Sequence, residues 1–245
     1  QLEKAKEEIE KNLAFAVSKN KISVTDKDAI TARITFSTDI NSLKADLVIE
    51  AIVERLEVKR ELFQKLAAIN STETILASNT SSIPITKIAK GISHPTRIAG
   101  LHFFNPAHLM KLVEIIAGAE TSSEVIKTLQ EISNAIGKTA VLCKDSPGFI
   151  VNRVARHYYV ESLKTMEERV APIETIDTLM ESAGFKLGPF KLMDLVGNDI
   201  NFAVTSSLFE SFHHDSKFRP SRIQEQKVDA GHLGKKTGKG FYNYS

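Results

Sequence analysis

The chain has 245 residues, 42% of them hydrophobic, and its 32 Lys and Arg side chains nearly balance its 30 Asp and Glu side chains. This length and composition predict about two domains with a substantial core. The net charge of +2 shows no basic excess of the kind typical of nucleic-acid-binding proteins, so we predict no nucleic-acid partner.

The chain contains a single cysteine, Cys143, which excludes an intrachain disulfide and a structural zinc site of the usual kind. Because one free thiol fits a reducing compartment, we predict a cytoplasmic protein, with the mitochondrial matrix as the alternative. No apolar run approaches the roughly 20 residues of a membrane span, so we predict no membrane association. We also predict no metal site, since the adjacent His213 and His214 face different directions.

Helical and strand patterns alternate from the first residues onward. A three- and four-residue spacing of apolar side chains predicts an amphipathic helix that contains Leu2, Ala5, Ile9, Leu13 and Val17. Strands are predicted over residues 33–36 and 45–53, and the second is apolar enough to be covered on both faces. The pattern continues with a helix over 56–68, a strand over 74–78 and a short helix from Pro84.

Two apolar strands separated by a short polar break follow, between Ile98 and Ile116. A helix over 121–136 is predicted next, with a capping box at Thr121–Glu124 and a left-handed Gly137 at its end. A last strand covers 139–143. Strands that alternate with helices predict a doubly wound, parallel α/β sheet with right-handed crossovers.

From residue 144 onward the pattern contains only helices, which predicts a boundary between residues 1–143 and an all-helical domain of residues 144–245. Helices are predicted from 146 to about 168, from Pro172, from 188 to about 213 and from 221 to 230. Two explanations fit their high apolar content. The helices either bury part of it against a partner chain or form a self-contained bundle.

One polar pair lies within the two central strands. Glu114 is flanked by apolar residues, and an ionised carboxylate in such a place is unfavourable unless something pairs with it. The nearest plausible partner is His102, on the neighbouring strand. A carboxylate that orients a histidine makes a general base, although a pair that only holds two strands together would have the same spacing.

Four motifs occur in order along most of the chain. They are ASNTSS at residues 77–82, GLHFFNP with MKLVEI at 100–115, DSPGFIVNR at 145–153, and GKKTGKGFY at 234–242. Together they closely resemble the signature of the 3-hydroxyacyl-CoA dehydrogenase family. The resemblance implies a Rossmann-like sheet followed by a helical domain that forms a homodimer, NAD as cofactor, and an acyl-CoA substrate.

The resemblance implies that an L-3-hydroxyacyl-CoA is oxidised to the 3-ketoacyl-CoA in fatty-acid metabolism. His102 matches the family's base and Glu114 its orienting acid, while Ser81 and Asn152 match residues that contact the substrate. Ser81 and Asn152 each have an alternative, purely structural role. A serine at a strand end often caps a turn, and an asparagine in a helix can satisfy a neighbouring backbone group.

Cofactor-binding positions of the family carry over to Glu54, Lys59, Ser81, Asn105 and Lys236. The alternatives are that Glu54 is an ordinary helix-start glutamate and that Lys236 lies in a solvated turn.

For substrate binding, the resemblance implies Lys19 near the CoA moiety, together with Ser81 and Asn152. His108 matches no catalytic position, and we predict that it lies at the surface or at a pocket rim. The length of the acyl chain is not encoded in any motif.

The Gly-rich strand–turn–helix unit that opens a dinucleotide-binding sheet does not occur in this sequence. None of the twelve glycines follows a strand in that context. We therefore expect the sheet to be N-terminally incomplete and the sequence to be part of a longer natural chain. The 245 residues alone are expected to bind NAD poorly, so the alternative function is an inactive relative that dimerises through its helices.

Overall fold

The computed structural model describes residues 1–244. Within them, five strands span Leu47–Glu50 (β1), Ile75–Ser78 (β2), Ile98–Phe103 (β3), Leu112–Ala117 (β4) and Thr139–Lys144 (β5). The α-helices span Leu2–Ser18 (α1), Val24–Thr31 (α2), Leu56–Ile69 (α3), Ile85–Ala89 (α4), Ser123–Ala135 (α5), Val151–Glu167 (α6), Ile173–Ser182 (α7), Pro189–Val196 (α8), Asn198–Ser211 (α9) and Arg222–Asp229 (α10).

The chain divides into two compact units, and the first comprises residues 1–45. It contains α1, which matches the predicted amphipathic helix, and α2, which the periodicity did not reveal. The sequence signal for α2 is a capping box in which Ser23 and Asp26 bond each other's backbone N–H groups. The strand predicted over residues 33–36 is wrong, since the N–H of Ile34 bonds the carbonyl of Thr31 and continues the turn that ends α2.

The second unit begins at Asp46 and contains a five-stranded sheet in the order β1-β2-β3-β4-β5. The pairs β1–β2, β2–β3 and β4–β5 are parallel, as predicted, but β3–β4 is antiparallel. The connection of residues 104–111 explains this exception, because a parallel crossover needs about a dozen residues or more. The predicted boundary between residues 143 and 144 lies within this unit and stays a prediction.

Side chains alternate between the two faces of the sheet. Leu76, Ile98 and Ile116 pack on one face against residues of α3 and α4. Their neighbours Ala77, Ala99 and Ile115 pack on the other face against α5. Because the side-chain period of a strand is two, His102 and Glu114 share the face of Ile98 and Ile116.

Helices α6 to α10 follow the sheet, as predicted, but several predicted bounds are wrong. The helix predicted from residue 146 begins at Val151, because Gly148 and Phe149 adopt left-handed conformations with φ of 72° and 50°. The helix predicted over 188–213 is divided at Gly197, where φ is 106°. The strand predicted over 45–53 is shortened to β1, and α5 is capped by Ser122 instead of Thr121.

Candidate active site

His102 and Glu114 form a buried pair at the centre of the sheet. The antiparallel register of β3 and β4 places the two residues directly opposite each other. The imidazole Nδ1 lies 2.8 Å from the carboxylate Oε2, and the two residues are only 4% and 1% exposed. The sequence therefore predicted this contact correctly, although contact alone does not distinguish a base from a structural pair.

The second oxygen of Glu114 faces the start of the helical region. Its Oε1 accepts hydrogen bonds of 2.9 Å from the backbone N–H groups of Ile150 and Val151. The left-handed turn at Gly148 and Phe149 directs these two groups at the carboxylate. Burial alone would raise the pKa of Glu114, but the bond to His102 and the two backbone N–H groups lower it below its usual value.

Ser81 contacts the other side of the imidazole. Its Oγ lies 3.1 Å from Nε2 of His102, and its carbonyl accepts a 3.3 Å hydrogen bond from the side-chain amide of Asn152. The structure thus brings together the four residues expected at the reaction centre, from a loop after β2, from β3, from β4 and from α6. Since Nδ1–H donates to Glu114, we assign the acceptor position to Nε2, which faces Ser81.

Two aromatic rings that the sequence analysis did not identify flank His102. The ring centroids of Phe104 and Phe149 lie 4.6 and 5.7 Å from that of the imidazole. Phe149 is 3% exposed and belongs to the same core cluster as the helix α3 residue Phe63. Both phenylalanines lie within the family motifs. In the sequence they look like ordinary core residues, and only the contacts of their rings with His102 distinguish them.

Glu54 and Lys59, expected to bind the cofactor, are engaged with protein groups. Oε1 of Glu54 accepts from the hydroxyl of Thr80 at 2.6 Å and from the backbone N–H of Ser81 at 2.9 Å. The Lys59 ammonium lies 3.2 Å from Oε2 of Glu54 and 2.8 Å from Oε1 of Glu50. Lys59 is 1% exposed in this ion-paired arrangement.

Glu50 was not among the predicted site residues, although a signal was present. Glu50 ends a strand that is otherwise apolar, and the cost of a charge in such a strand is what singled out Glu114. Asn79 was not predicted either. Its side-chain oxygen accepts a 2.8 Å hydrogen bond from the N–H of Phe103 and so ties the loop after β2 to the end of β3.

The remaining predicted residues form none of the hydrogen bonds and ion pairs described above. Asn105 is exposed and precedes a cis peptide bond to Pro106, and His108 is exposed, as expected. Lys236 forms an ion pair with Asp199 on α9, with distances of 2.6 and 2.8 Å. Lys19 belongs to the first unit, where it is exposed and its ammonium lies 5.5 Å from the centre of the Phe15 ring.

Within residues 1–244, no group of three or more His, Cys, Asp or Glu side chains is arranged to hold a metal ion. None of the helices in this range combines the length and apolar character that crossing a membrane requires.

The residues at the carboxyl ends of β1 and β2 fit part of a nicotinamide dinucleotide. Ile52 and Val53 expose 41% and 61% of their surface, and they adjoin Glu54, whose side chain is 39% exposed. Apolar surface beside a few polar groups suits a flat ring joined to a ribose. In parallel sheets, ligands bind at this end of the strands.

Comparisons with known proteins agree with these features. A family model described as 3-hydroxyacyl-CoA dehydrogenase, NAD binding domain, matches residues 1–146. A second model, described as the C-terminal domain of the same family, matches residues 148–244.

Two curated relatives and one solved structure illustrate the similarity. The chain is 48% identical to 3-hydroxyadipyl-CoA dehydrogenase of Escherichia coli K12, over 99% of this chain and 52% of that protein. It is 42% identical to the mitochondrial hydroxyacyl-coenzyme A dehydrogenase of Sus scrofa, over 99% of this chain and 80% of that protein. A crystal structure of 3-hydroxybutyryl-CoA dehydrogenase from E. coli superposes with a TM-score of 0.96 at 48% identity, over 99% of this chain and 52% of that one. The chain thus spans about half the length of the E. coli proteins.

Proposed function

The chain belongs to the 3-hydroxyacyl-CoA dehydrogenase family, and we propose that it catalyses the oxidation of an L-3-hydroxyacyl-CoA to the 3-ketoacyl-CoA with NAD as cofactor. The observation that supports this most strongly is the arrangement around the buried imidazole of His102. One ring nitrogen contacts the carboxylate of Glu114, and the other faces the hydroxyl of Ser81. The alternative, an inactive structural relative, has no need for this arrangement.

In the proposed reaction, the substrate hydroxyl takes up a position near Nε2 of His102. His102 would remove the hydroxyl proton, and NAD, when bound, would supply the acceptor for the hydride that leaves C3. The carboxylate of Glu114 keeps the proton on Nδ1 before the reaction and stabilises the imidazolium that forms. The N–H groups of Ile150 and Val151, at the start of α6, favour the ionised form of Glu114, so it does not compete for the proton.

Ser81 and Asn152 are proposed to hold the substrate oxygens. Both are neutral donors, and they are hydrogen-bonded to each other through the Ser81 carbonyl. A donor that neither gains nor loses charge can polarise the forming carbonyl without taking the proton from His102.

For the cofactor, the proposed contacts are Glu54, Ser81, Asn105 and Lys236. Glu54 and Ser81 lie at the carboxyl ends of the parallel strands, where the apolar surface of Ile52 and Val53 is exposed. Lys236 and Asn105 are exposed residues of the family motifs. Lys59 belongs to the same proposed group, and its ammonium lies 3.2 Å from Oε2 of Glu54.

For the substrate, we propose a short or dicarboxylic acyl-CoA, in line with relatives named for 3-hydroxyadipyl-CoA and 3-hydroxybutyryl-CoA. Lys19 is proposed to contact the CoA moiety, since an exposed ammonium can pair with the phosphates of CoA. Ser81 and Asn152 would meet the acyl end. We also propose a cofactor domain over residues 1–143 and a substrate and dimerisation domain over residues 144–245. The proposed location is the cytoplasm, with the mitochondrial matrix as the alternative.

Homodimerisation through the helical region is also proposed. Large apolar side chains remain 40–69% exposed on α6 to α9 and in the loops between them, namely Val154, Val170, Leu179, Phe185, Leu195, Val196 and Ile200. Apolar surface of this extent typically marks a contact with another chain. Light scattering after gel filtration should give twice the monomer mass, and a monomer mass would contradict the proposal.

The activity is tested by mixing the full gene product with acetoacetyl-CoA and NADH and following the loss of NADH absorbance. We expect substrate-dependent oxidation of NADH. A preparation that is folded by circular dichroism, binds NADH and still leaves the absorbance unchanged would contradict the proposed function.

A further inference from the structure

The connection between β3 and β4 carries two side chains of the proposed site, yet most of it is exposed. We call residues 104–111 the β3–β4 loop. Its first residue, Phe104, contacts the imidazole of His102, and Asn105 is a proposed cofactor contact. Every residue from 105 to 111 is exposed. Burial therefore contributes little to the conformation of this loop, and polar contacts must fix it.

Both ends of the β3–β4 loop are held by hydrogen bonds to other segments. The N–H of Phe103, just before the loop, donates to the side-chain oxygen of Asn79 at 2.8 Å. At the other end, the carbonyl of Lys111 accepts from the N–H of Thr139 at 2.7 Å. These two bonds fix where the loop begins and ends, but they do not fix the residues between those points.

The side chain of Lys138 binds the middle of the β3–β4 loop. Its ammonium donates hydrogen bonds to the carbonyl oxygens of Ala107 and Met110, the second at 2.7 Å. Hydrogen bonds from a charged donor are roughly twice as strong as those between neutral groups. Because one ammonium binds two carbonyls of the same loop, it restrains the chain between them.

The backbone that carries this side chain is itself held in place. Lys138 follows Gly137, which has a left-handed φ of 72° just after α5, and the N–H of Lys138 donates to the carbonyl of Ser133 in that helix at 2.9 Å. The next residue, Thr139, begins β5 and pairs with Leu112 on β4. The ammonium thus connects an exposed loop to the end of a helix and to the sheet.

We infer that Lys138 is a positioning residue, which holds the β3–β4 loop so that Asn105 meets the cofactor and Phe104 stays against the ring of His102. The inference rests on the proposed function for its kinetic consequences. Its structural basis, two loop carbonyls bound by one ammonium, is independent of that function. Because both carbonyls belong to exposed residues, water can replace the ammonium, so loss of Lys138 should displace the loop without unfolding the sheet.

The experiment compares Lys138→Met and Lys138→Arg in the full gene product. The matched control is Lys127→Met, which removes an exposed lysine from α5. We expect Lys138→Met to raise the KM for NADH by about tenfold, because a misplaced Asn105 binds the cofactor less well. The fall in kcat should be smaller, about threefold, because His102 itself lies in β3. Lys127→Met should resemble the wild type.

Hydrogen exchange reports on the loop independently of activity. The N–H groups of Leu109 and Met110 donate to the carbonyl of Pro106 at 2.9 and 3.0 Å, so their exchange rates measure how often the loop opens. In Lys138→Met these two rates should rise about tenfold, while the amides of β3 and β4 keep theirs. Lys138→Arg keeps the charge and several donors, so the exchange rates and the KM should both return toward the wild type.

The two measurements must change together in every variant of Lys138. Faster exchange with unchanged KM and kcat would show that the bonds are merely structural, and a raised KM with unchanged exchange would show that Lys138 meets the cofactor directly. Either result, like no change at all, would overturn the inference. If the wild type neither binds nor oxidises NADH, the proposed function fails. The loop is then judged by exchange alone, and unchanged rates in Lys138→Met would refute its anchoring.

Discussion

Glu114 in the sheet and Asp194 among the helices are both buried carboxylates, but their hydrogen-bond donors differ. Asp194 is bound by the Asn198 amide at 2.8 Å, by the N–H groups of Phe241 and Tyr242 at 2.9 Å, and by the Tyr244 hydroxyl at 3.1 Å. All four donors are neutral. Burial raises the pKa of the Tyr244 hydroxyl above its ordinary value, which favours its neutral form. Glu114 has two neutral donors and one imidazole.

Asp177 repeats the pattern of Asp194. Its oxygens accept from the N–H groups of Phe190 and Lys191 at the start of α8 and from the Tyr242 hydroxyl at 2.8 Å. Burial of a carboxylate therefore does not mark a reaction centre by itself. The distinguishing feature is a partner that can act as a proton acceptor, the imidazole of His102, and the following substitutions test that distinction.

The largest effect is expected at the pair itself. His102→Gln removes the base and should lower kcat by about 10,000-fold, near the upper end of what general base catalysis contributes. Glu114→Gln should lower it by about 100-fold or more, because the imidazole loses its fixed tautomer. Steady-state kinetics together with NADH titration measures both effects. A collapse of NADH affinity with little change in kcat would assign the pair to cofactor binding instead.

Substitution of Asp177, a buried carboxylate among the helices, should lower stability and leave kcat unchanged. Asp177→Asn keeps the shape but loses the charge that caps α8, so we expect the free energy of unfolding to fall by about 2 kcal/mol. Urea titration measures this loss, and kcat of the folded fraction should stay at the wild-type value. A fall in kcat as large as that of Glu114→Gln would remove the distinction between the two regions.

A smaller effect is expected from the ring that touches the base. Phe149→Leu keeps an apolar side chain but removes the aromatic contact with His102, which should lower kcat by about three- to tenfold. The control is Phe63→Leu in the same core cluster, which should lose stability without a change in kcat. Equal kinetic effects in the two variants would show that only core packing is involved.

The smallest effect is a pH dependence of stability. Because the folded-state pKa of Glu114 lies below the reference value of 4.5, its charge stabilises the fold at neutral pH. The difference in free energy of unfolding between the wild type and Glu114→Gln should be constant above about pH 6 and shrink once the pH falls below 4.5. Urea titrations at several pH values measure it, and a difference that grows on acidification would contradict the lowered pKa.

The sequence identified most of these features because they follow from local patterns. The cost of a charge inside an apolar strand singled out Glu114, and its pairing with His102 was predicted correctly. The same argument applies to Glu50, which was overlooked because no motif drew attention to it. Local patterning also predicted both ends of α3 and the starts of α4 and α7 to within one residue.

What the sequence did not reveal depends on contacts between distant segments. The antiparallel step between β3 and β4 follows from the short connection, but periodicity alone does not encode direction. The cofactor contact of Lys59 stays a prediction, and only the three-dimensional arrangement shows that two carboxylates enclose its ammonium. Likewise, the late start of α6 depends on the left-handed residues that direct its first N–H groups at Glu114.

The bonds from Ile150 and Val151 to Glu114 also limit how the molecule can be divided. Glu114, the acid on β4, has three hydrogen-bond donors, and two of them are the N–H groups of residues 150 and 151. Both residues lie beyond residue 146, where the match to the family's NAD-binding domain ends. A chimaera that joins this sheet to the helices of another relative must therefore retain the turn from Gly148 to Val151. Exchange at the nominal domain border would make the acid depend on the turn of the other relative for its two backbone donors, however well the new helices packed.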